Sequence, residues 1–298
     1  LARERGHEDA VDTEGLEATL DNVEQLTAFG TLISSLEYLA AGKSFADDDL
    51  LSWDVARTRH KALAGRVGDL LTPLMKSPGI NVVFAARAAG SVVLLVPRAP
   101  AAAKTTATAV LTASNYALHL RTPYGSDGSE HISMITYTSL LASRLARSDE
   151  RAQQACLHFI ALQSCLSYGV AGISKLVSPV WRNGTAVRDI FRTHMYGHSR
   201  VYELLKSKPW AARLLAWVTI TGETGFPLVL IAPKPVARGI LASGLSFHGG
   251  NAVFMGLNRF LWAFLGTYPA VAYTSRNLGP IRGRSKSRLV ARLTGSKR

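Results

Sequence analysis

The sequence predicts an all-α bundle that crosses a membrane about six to eight times, with an amphipathic helix lying at the interface. Three observations lead there. Hydrophobic residues make up 47% of the chain and charged residues only 18%, which is lean in charge for a soluble protein of this length. The charge is also segregated: residues 1–24 hold two arginines against eight carboxylates, and the stretch from Asn277 holds seven Lys/Arg and no acid. Between these ends, apolar residues gather in blocks close to the ~20 residues a helix needs to cross hydrocarbon.

These features divide the chain into an acidic segment over 1–24, a multi-span membrane domain over 25–275 and a basic tail over 276–298. The expected spans are 26–42, 79–97, 100–120, 131–147, 153–174 and 211–232, with a last apolar region at 238–273. That last region reads either as one span or as a re-entrant pair turning at Gly249–Gly250. Glu37 in the first span and Arg87 in the second are costly in lipid, so both should face the bundle interior. Residues 43–78 read as a long polar connection, and Asp127 in "GSDGS" as a turn former.

The connection from Lys175 to Trp210 has an amphipathic middle. In "TAVRDIFRTHM", Val187, Ile190, Phe191 and Met195 fall on one helical face, and Arg188, Asp189 and Arg192 on another, a pattern suited to a helix in the headgroup plane. No aromatic interleaving or nucleic-acid motif accompanies the basic tail. Its expected partner is therefore the lipid bilayer of the cell membrane, crossed in multiple passes, and not nucleic acid. Cys156 and Cys165 are nine residues apart on one expected helix, roughly 13 Å along its axis and too far for a disulfide. His194 and His198 have i, i+4 spacing, but Gly197 interrupts them and no third ligand is evident, so no metal is expected. Neither a nucleophile elbow nor a phosphate-binding loop occurs, which argues against a serine hydrolase or an ATPase.

The chemistry centres on "SYGVAGISKLVSPVWRNG", residues 167–184. Tyr168, Ala171, Gly172 and Lys175 follow i, i+3, i+4, i+7 spacing and share a face. The small residues at 171 and 172 let a neighbouring helix come close. Two readings of Lys175 fit. A lysine beside such a dry contact can serve as a base; a lysine at a span end can also snorkel to the interface, with Trp181 as a belt residue. Glu223 needs a partner inside the bundle: it orients a ligand or pairs with Lys175, or else makes a structural hydrogen bond to a neighbouring helix. His248 precedes Gly249–Gly250, where backbone can approach a ligand; a satisfied core histidine fits equally well.

"YGVAGISKLVSPVWRNG" resembles the Y-x-x-A-G-x-x-K-L…W-x-x-G segment of the vitamin K-dependent gamma-carboxylase superfamily, including its bacterial HTTM (horizontally transferred transmembrane) relatives. "ETGFPLVLIAP", residues 223–233, resembles the family's E-x-x-x-P span, and "FHGGNAVFMGLNRFLWAFLGTYPAV", residues 247–271, its H-x-G…M-G-L…F…P segment. "YGSDGSEHISM" resembles, more loosely, the loop opening the fourth span. The resemblance implies a membrane-embedded lyase that deprotonates a vitamin K-like hydroquinone. Oxygen adds to that quinol, the resulting alkoxide takes a γ-proton from a peptide glutamate, and carbon dioxide adds to the carbanion.

On this resemblance Lys175 and His131 are the catalytic residues, and Glu223, His248, Trp181 and Tyr168 contact the substrate. The implied cofactor is a reduced quinone and the implied partner a peptide substrate. The animal enzyme has two adjacent lysines where this chain has Ser174–Lys175, which keeps only the second. It also carries a large extramembrane part that grips a protein substrate, and no counterpart follows the last apolar region here. Bacterial relatives that mature a secreted peptide point to a smaller substrate. The competing class is a non-enzymatic accessory factor for peptide export, maturation or immunity that shares the fold alone.

Overall fold

The computed structural model describes residues 13–40, 45–46, 51–122 and 128–277. Residues 1–12, Asp127 and the basic tail beyond Asn277 lie outside them. Every regular element among the described residues is helical, in agreement with the expected all-α class. The chain divides into two compact units, 1–160 with 257–267, and 161–256 with 268–298.

The first unit is built on α1 (Thr13–Ala40), α4 (Gly79–Leu95), α5 (Ala101–Arg121) and α6 (Gly128–Leu145). α1 packs on α4, α4 on α5, α5 on α6, and α6 returns to α1. At one end the basic residues of α5 and α6 meet the acids of α1. Lys104 Nζ lies 3.6 Å from Asp21 and 3.7 Å from Glu24, and Arg144 Nε donates to Glu24 Oε2 at 2.7 Å. The acidic stretch up to residue 24 continues into the first apolar block without a break, because α1 runs through both.

Unlike most helical cores, this one is rich in hydroxyls. Thr27, Thr31, Ser35, Thr108 and Thr112 are buried, and each donates to the carbonyl four residues earlier. This back-bonding satisfies a buried hydroxyl inside its own helix. Tyr137 then donates to Thr31 Oγ1 at 2.9 Å, joining α6 to α1.

Residues 51–78, within the long polar connection expected over 43–78, carry regular structure. They hold α2 (Trp53–Ala56), two 3-10 turns and α3 (Arg66–Met75). The reason is apolar content hidden among charges: Trp53, Ala56, Leu63 and Met75 pack with Phe45, Ile80, Phe84 and Leu118, and Trp53 Nε1 donates to Thr72 Oγ1 at 2.9 Å. The first unit is completed by α7 (Glu150–Val177) as far as Ile160 and by the opening turns of α13 (Asn258–Asn277).

The second unit holds the rest of α7, then α8 (Pro179–Arg182), α9 (Thr185–Ile190), α10 (Ser199–Ser207), α11 (Pro209–Gly225), α12 (Lys234–Met255) and the end of α13. A 3-10 segment, Phe226–Leu230, follows α11. The amphipathic helix is shorter than expected. It stops at Ile190, so Val187 and Phe191 pack against α10 and α11 residues while Met195 is exposed. Asp189 accepts from Arg188 at 2.7 Å, a bond that holds its carboxyl below the ordinary carboxylate range. The re-entrant turn at Gly249–Gly250 is not found. α12 passes straight through both glycines, and the break falls at Gly256, whose φ of 71° is left-handed backbone that favours glycine.

By length and composition, α7 alone among the described helices can cross a membrane, and α3 with α4 passes only as one span bent by 71°. The remaining expected spans are helical, but 26–42 falls inside the longer α1 and 238–273 holds two helices, α12 and α13; each helix is too short or too polar to qualify.

Two helices of the first unit approach closely at Gly30, where a Cβ would collide with the Cβ of Trp262. Gly30→Val should therefore destabilise the folded chain by about 1–3 kcal/mol, read as a lowered Tm of the detergent-solubilised protein. A surface control such as Val92→Ala, on an exposed residue of α4, should change little.

Candidate active site in the second unit

Tyr168 and Lys175 sit two turns apart on α7, and Gly172 lies between them. A Cβ at Gly172 would collide with the backbone nitrogen and hydroxyl of Thr224. Only a glycine lets the end of α11 come this near, and the approach places Glu223 beside Lys175. Lys175 Nζ lies 2.7 Å from Glu223 Oε2, with side chains 19% and 8% exposed. The ammonium also sits 5.0 Å from the centroid of the Trp181 ring and 3.5 Å from the Ala171 carbonyl oxygen. Trp181 thus caps the lysine through its π face.

A second cluster gathers one turn and more earlier on α7. Tyr168 Oη is 2.5 Å from His248 Nε2 and 2.7 Å from Tyr268 Oη. All three side chains are buried. Phe226 stacks on Tyr168 with ring centroids 3.8 Å apart and planes 16° from parallel. The α-helix ends at Gly225 and turns into the 3-10 segment carrying Pro227. Proline has no N–H to continue the helical ladder, and this local change of winding brings Phe226 against the tyrosine.

The two clusters border one cleft of about 370 Å³, lined by Tyr168, Glu223, Phe226, Thr219, Ser243 and Phe247 among others. Its volume falls in the range of small-molecule sites. Glu223 and Tyr168 supply its most polar groups, and Lys175 is not among its lining residues; Lys175 connects to the cleft through Glu223. The 2.7 Å separation brings amine and carboxylate within the reach that proton transfer needs.

The second unit therefore brings together Tyr168, Lys175, Trp181, Glu223 and His248. His131 belongs to the first unit, where its exposed ring lies 5.1 Å from that of His119. Tyr268, Phe226 and Thr224 were not anticipated. Tyr268 reaches Tyr168 from exactly 100 positions along the chain, a pairing that no local pattern encodes, although its "TYP" context inside an apolar run singles out a polar hydroxyl in need of a partner. No group of three His, Cys, Asp or Glu suited to a metal occurs among the described residues.

The ion pair makes a stability prediction. Glu223→Ala leaves Lys175 largely buried beside Trp181 without its carboxylate and should cost about 3 kcal/mol. Lys175→Met with Glu223→Leu removes both charges and should recover most of that loss, measured as a double-mutant cycle on thermal or denaturant unfolding in detergent. Additive losses would mean that the two charges do not interact.

Comparison with protein-family models, with curated proteins and with solved structures finds no match to this chain.

Proposed function

We propose that the chain is a multi-pass membrane protein that uses the Lys175–Glu223 pair as a base on a ligand held in the cleft beside Tyr168. The membrane reading rests on where the polarity lies. On α7, the large residues Phe159, Leu162, Leu166, Val170, Ile173 and Val177 are all exposed, at spacings of three and four that form one continuous stripe. α11 exposes Trp210, Leu214, Leu215 and Val218, and α12 exposes Leu245, Val253 and Phe254. Apolar faces of this extent turned outward, with threonines, serines and charges turned inward, suit a lipid solvent. On this reading α7 is one of six to eight crossings, and the shorter helices cross with partner helices covering their polar faces.

The observation that carries the catalytic reading is the 2.7 Å pair at the border of a ligand-sized cleft. Glu223 faces the cleft and Lys175 supports it. With Lys175 as the neutral amine, a weakly acidic hydroxyl bound beside Glu223 can give up its proton to the pair, which then holds that proton as ammonium and carboxylate. Phe226 and Phe247 line the same space and offer flat apolar surfaces to an aromatic ring. A membrane-soluble quinol meets both demands. The resemblance to the vitamin K-dependent gamma-carboxylase superfamily supports this substrate class and, beyond it, carboxylation or another modification of a peptide. His131 is the second catalytic residue on that resemblance.

A second reading draws on the same pair: two charges that neutralise each other also serve to lock α7 onto α11. A non-enzymatic accessory factor in peptide export, maturation or immunity would keep the pair for that purpose alone.

The two readings separate by mass spectrometry of co-expressed neighbouring peptides. If the pair is a base, wild type adds mass to a peptide, and Lys175→Ala and Glu223→Gln each lower product formation by about 10²-fold or more while membrane insertion persists. Lys175→Arg should fail too, since a guanidinium does not surrender its proton at physiological pH. Full product from Lys175→Arg, with its charge pair to Glu223 kept, would leave the pair a structural lock.

A further inference from the structure

In the first unit a small cavity of about 40 Å³ is lined by Arg87, Arg259, Tyr38, Glu130, Asn115 and Ser133, with neighbours from α1. Its charged groups are matched very unevenly. Arg259 Nε lies 3.2 Å from Glu37 Oε2, and Arg259 also donates to Tyr38 Oη. Glu130 accepts from Tyr38 Oη at 3.2 Å and from Thr122 Oγ1 at 3.5 Å.

Arg87 makes no such contact: Glu130 shares its cavity and attracts it only from beyond ion-pair distance. It is 4% exposed, donates from one nitrogen to Ser114 Oγ at 2.9 Å, and forms no ion pair with a described carboxylate. Its buried Nε has no hydrogen-bond acceptor among the described residues. A guanidinium offers five N–H donors in a planar fork, and burying one with so few acceptors is costly unless a counter-charge completes it. Ser114 cannot be that counter-charge: it is neutral and already donates to the Leu111 carbonyl.

We infer that this cavity is a binding site for a small monovalent anion, held by the Arg87 guanidinium with polar support from Asn115 and Ser133. The size follows from the volume. One water needs about 10–15 Å³ on this measure, so the space takes roughly three waters or one anion of comparable bulk. Halides and triatomic oxyanions such as formate fit; sulfate and phosphate do not. The single charge follows from Glu130, whose carboxylate on the same cavity repels a dianion. A planar oxyanion matches the guanidinium fork best, by accepting two parallel N–H bonds. The site lies wholly in the first unit, so it stands or falls independently of the Lys175–Glu223 reading.

The probe is radiolabelled formate, added to the purified full-length chain in detergent and followed by equilibrium dialysis at constant ionic strength with gluconate as the balancing anion. Wild type should bind one formate per chain saturably, with Tm rising as the site fills. Arg87→Met should weaken binding at least tenfold. Ser133→Leu, which places a larger side chain in the cavity and leaves Arg87 in place, should abolish binding with the ligand-free Tm nearly unchanged. Absence of saturable formate binding in wild type overturns the inference, as does binding in Ser133→Leu equal to wild type. The second variant decides the matter if Arg87→Met does not fold.

Discussion

The contact between Gly172 and the backbone of Thr224 is the constraint on which the second unit is organised. Without a side chain at 172, α11 ends near enough to α7 for Glu223 to meet Lys175 at 2.7 Å. A charge buried alone costs several kcal/mol, and two such charges in good geometry largely cancel that cost. The pair therefore depends on the close approach, and the approach is tolerated because the pair neutralises what it buries. Trp181 closes the third side of the ammonium, so the lysine at the end of an apolar helix is held and not free to snorkel.

The first unit solves a related problem with hydroxyls in place of a charge pair. α1, α5 and α6 turn threonines and serines toward one another, and most of these bond back to their own helix. A hydroxyl satisfied this way presents little polarity to its neighbours, which lets helices pack closely with few large apolar side chains between them. Charges are confined to the two ends of this stack. Glu24 with Lys104 and Arg144 marks one end, and Tyr38 with Glu130 and Arg259 marks the other. Arg87 is the exception, because it sits on α4 with a single side-chain hydrogen bond among the described residues, to Ser114.

Helices that fill a single apolar block were legible in the sequence, and breaks inside longer stretches were not. α4, α5, α6 and α7 begin and end within a few residues of the apolar blocks at 79–97, 100–120, 131–147 and 153–174, because block length alone sets them. The breaks depended on finer chemistry. Gly249–Gly250 left a re-entrant turn open beside a single span, but two glycines inside a long helix cost only propensity, whereas Gly256 adopts the left-handed cap that stops α12. α3 was obscured by the charges around it, since of its apolar residues only Met75 and Leu71 join the core with Trp53 and Phe84. In the site, the i, i+7 relation of Tyr168 and Lys175 and the small residue at 172 were readable from spacing. That Glu223 and not Lys175 borders the cleft was not, since it depends on how α11 ends.

That ending is the last step that assembles the cleft. A straight α11 would carry Phe226 and Pro227 around the helix at the α-helical period. The proline cannot donate to the ladder, and the backbone tightens to 3-10 winding over Phe226–Leu230. Phe226 then lies flat on Tyr168 while Glu223, one turn earlier, stays directed at Lys175. The irregular backbone is itself held in place: Val229 is fully buried, and its carbonyl accepts from Ser275 Oγ at 2.7 Å. One proline thus sets a flat aromatic floor and a paired carboxylate on the same opening, an arrangement that an uninterrupted helix would not produce.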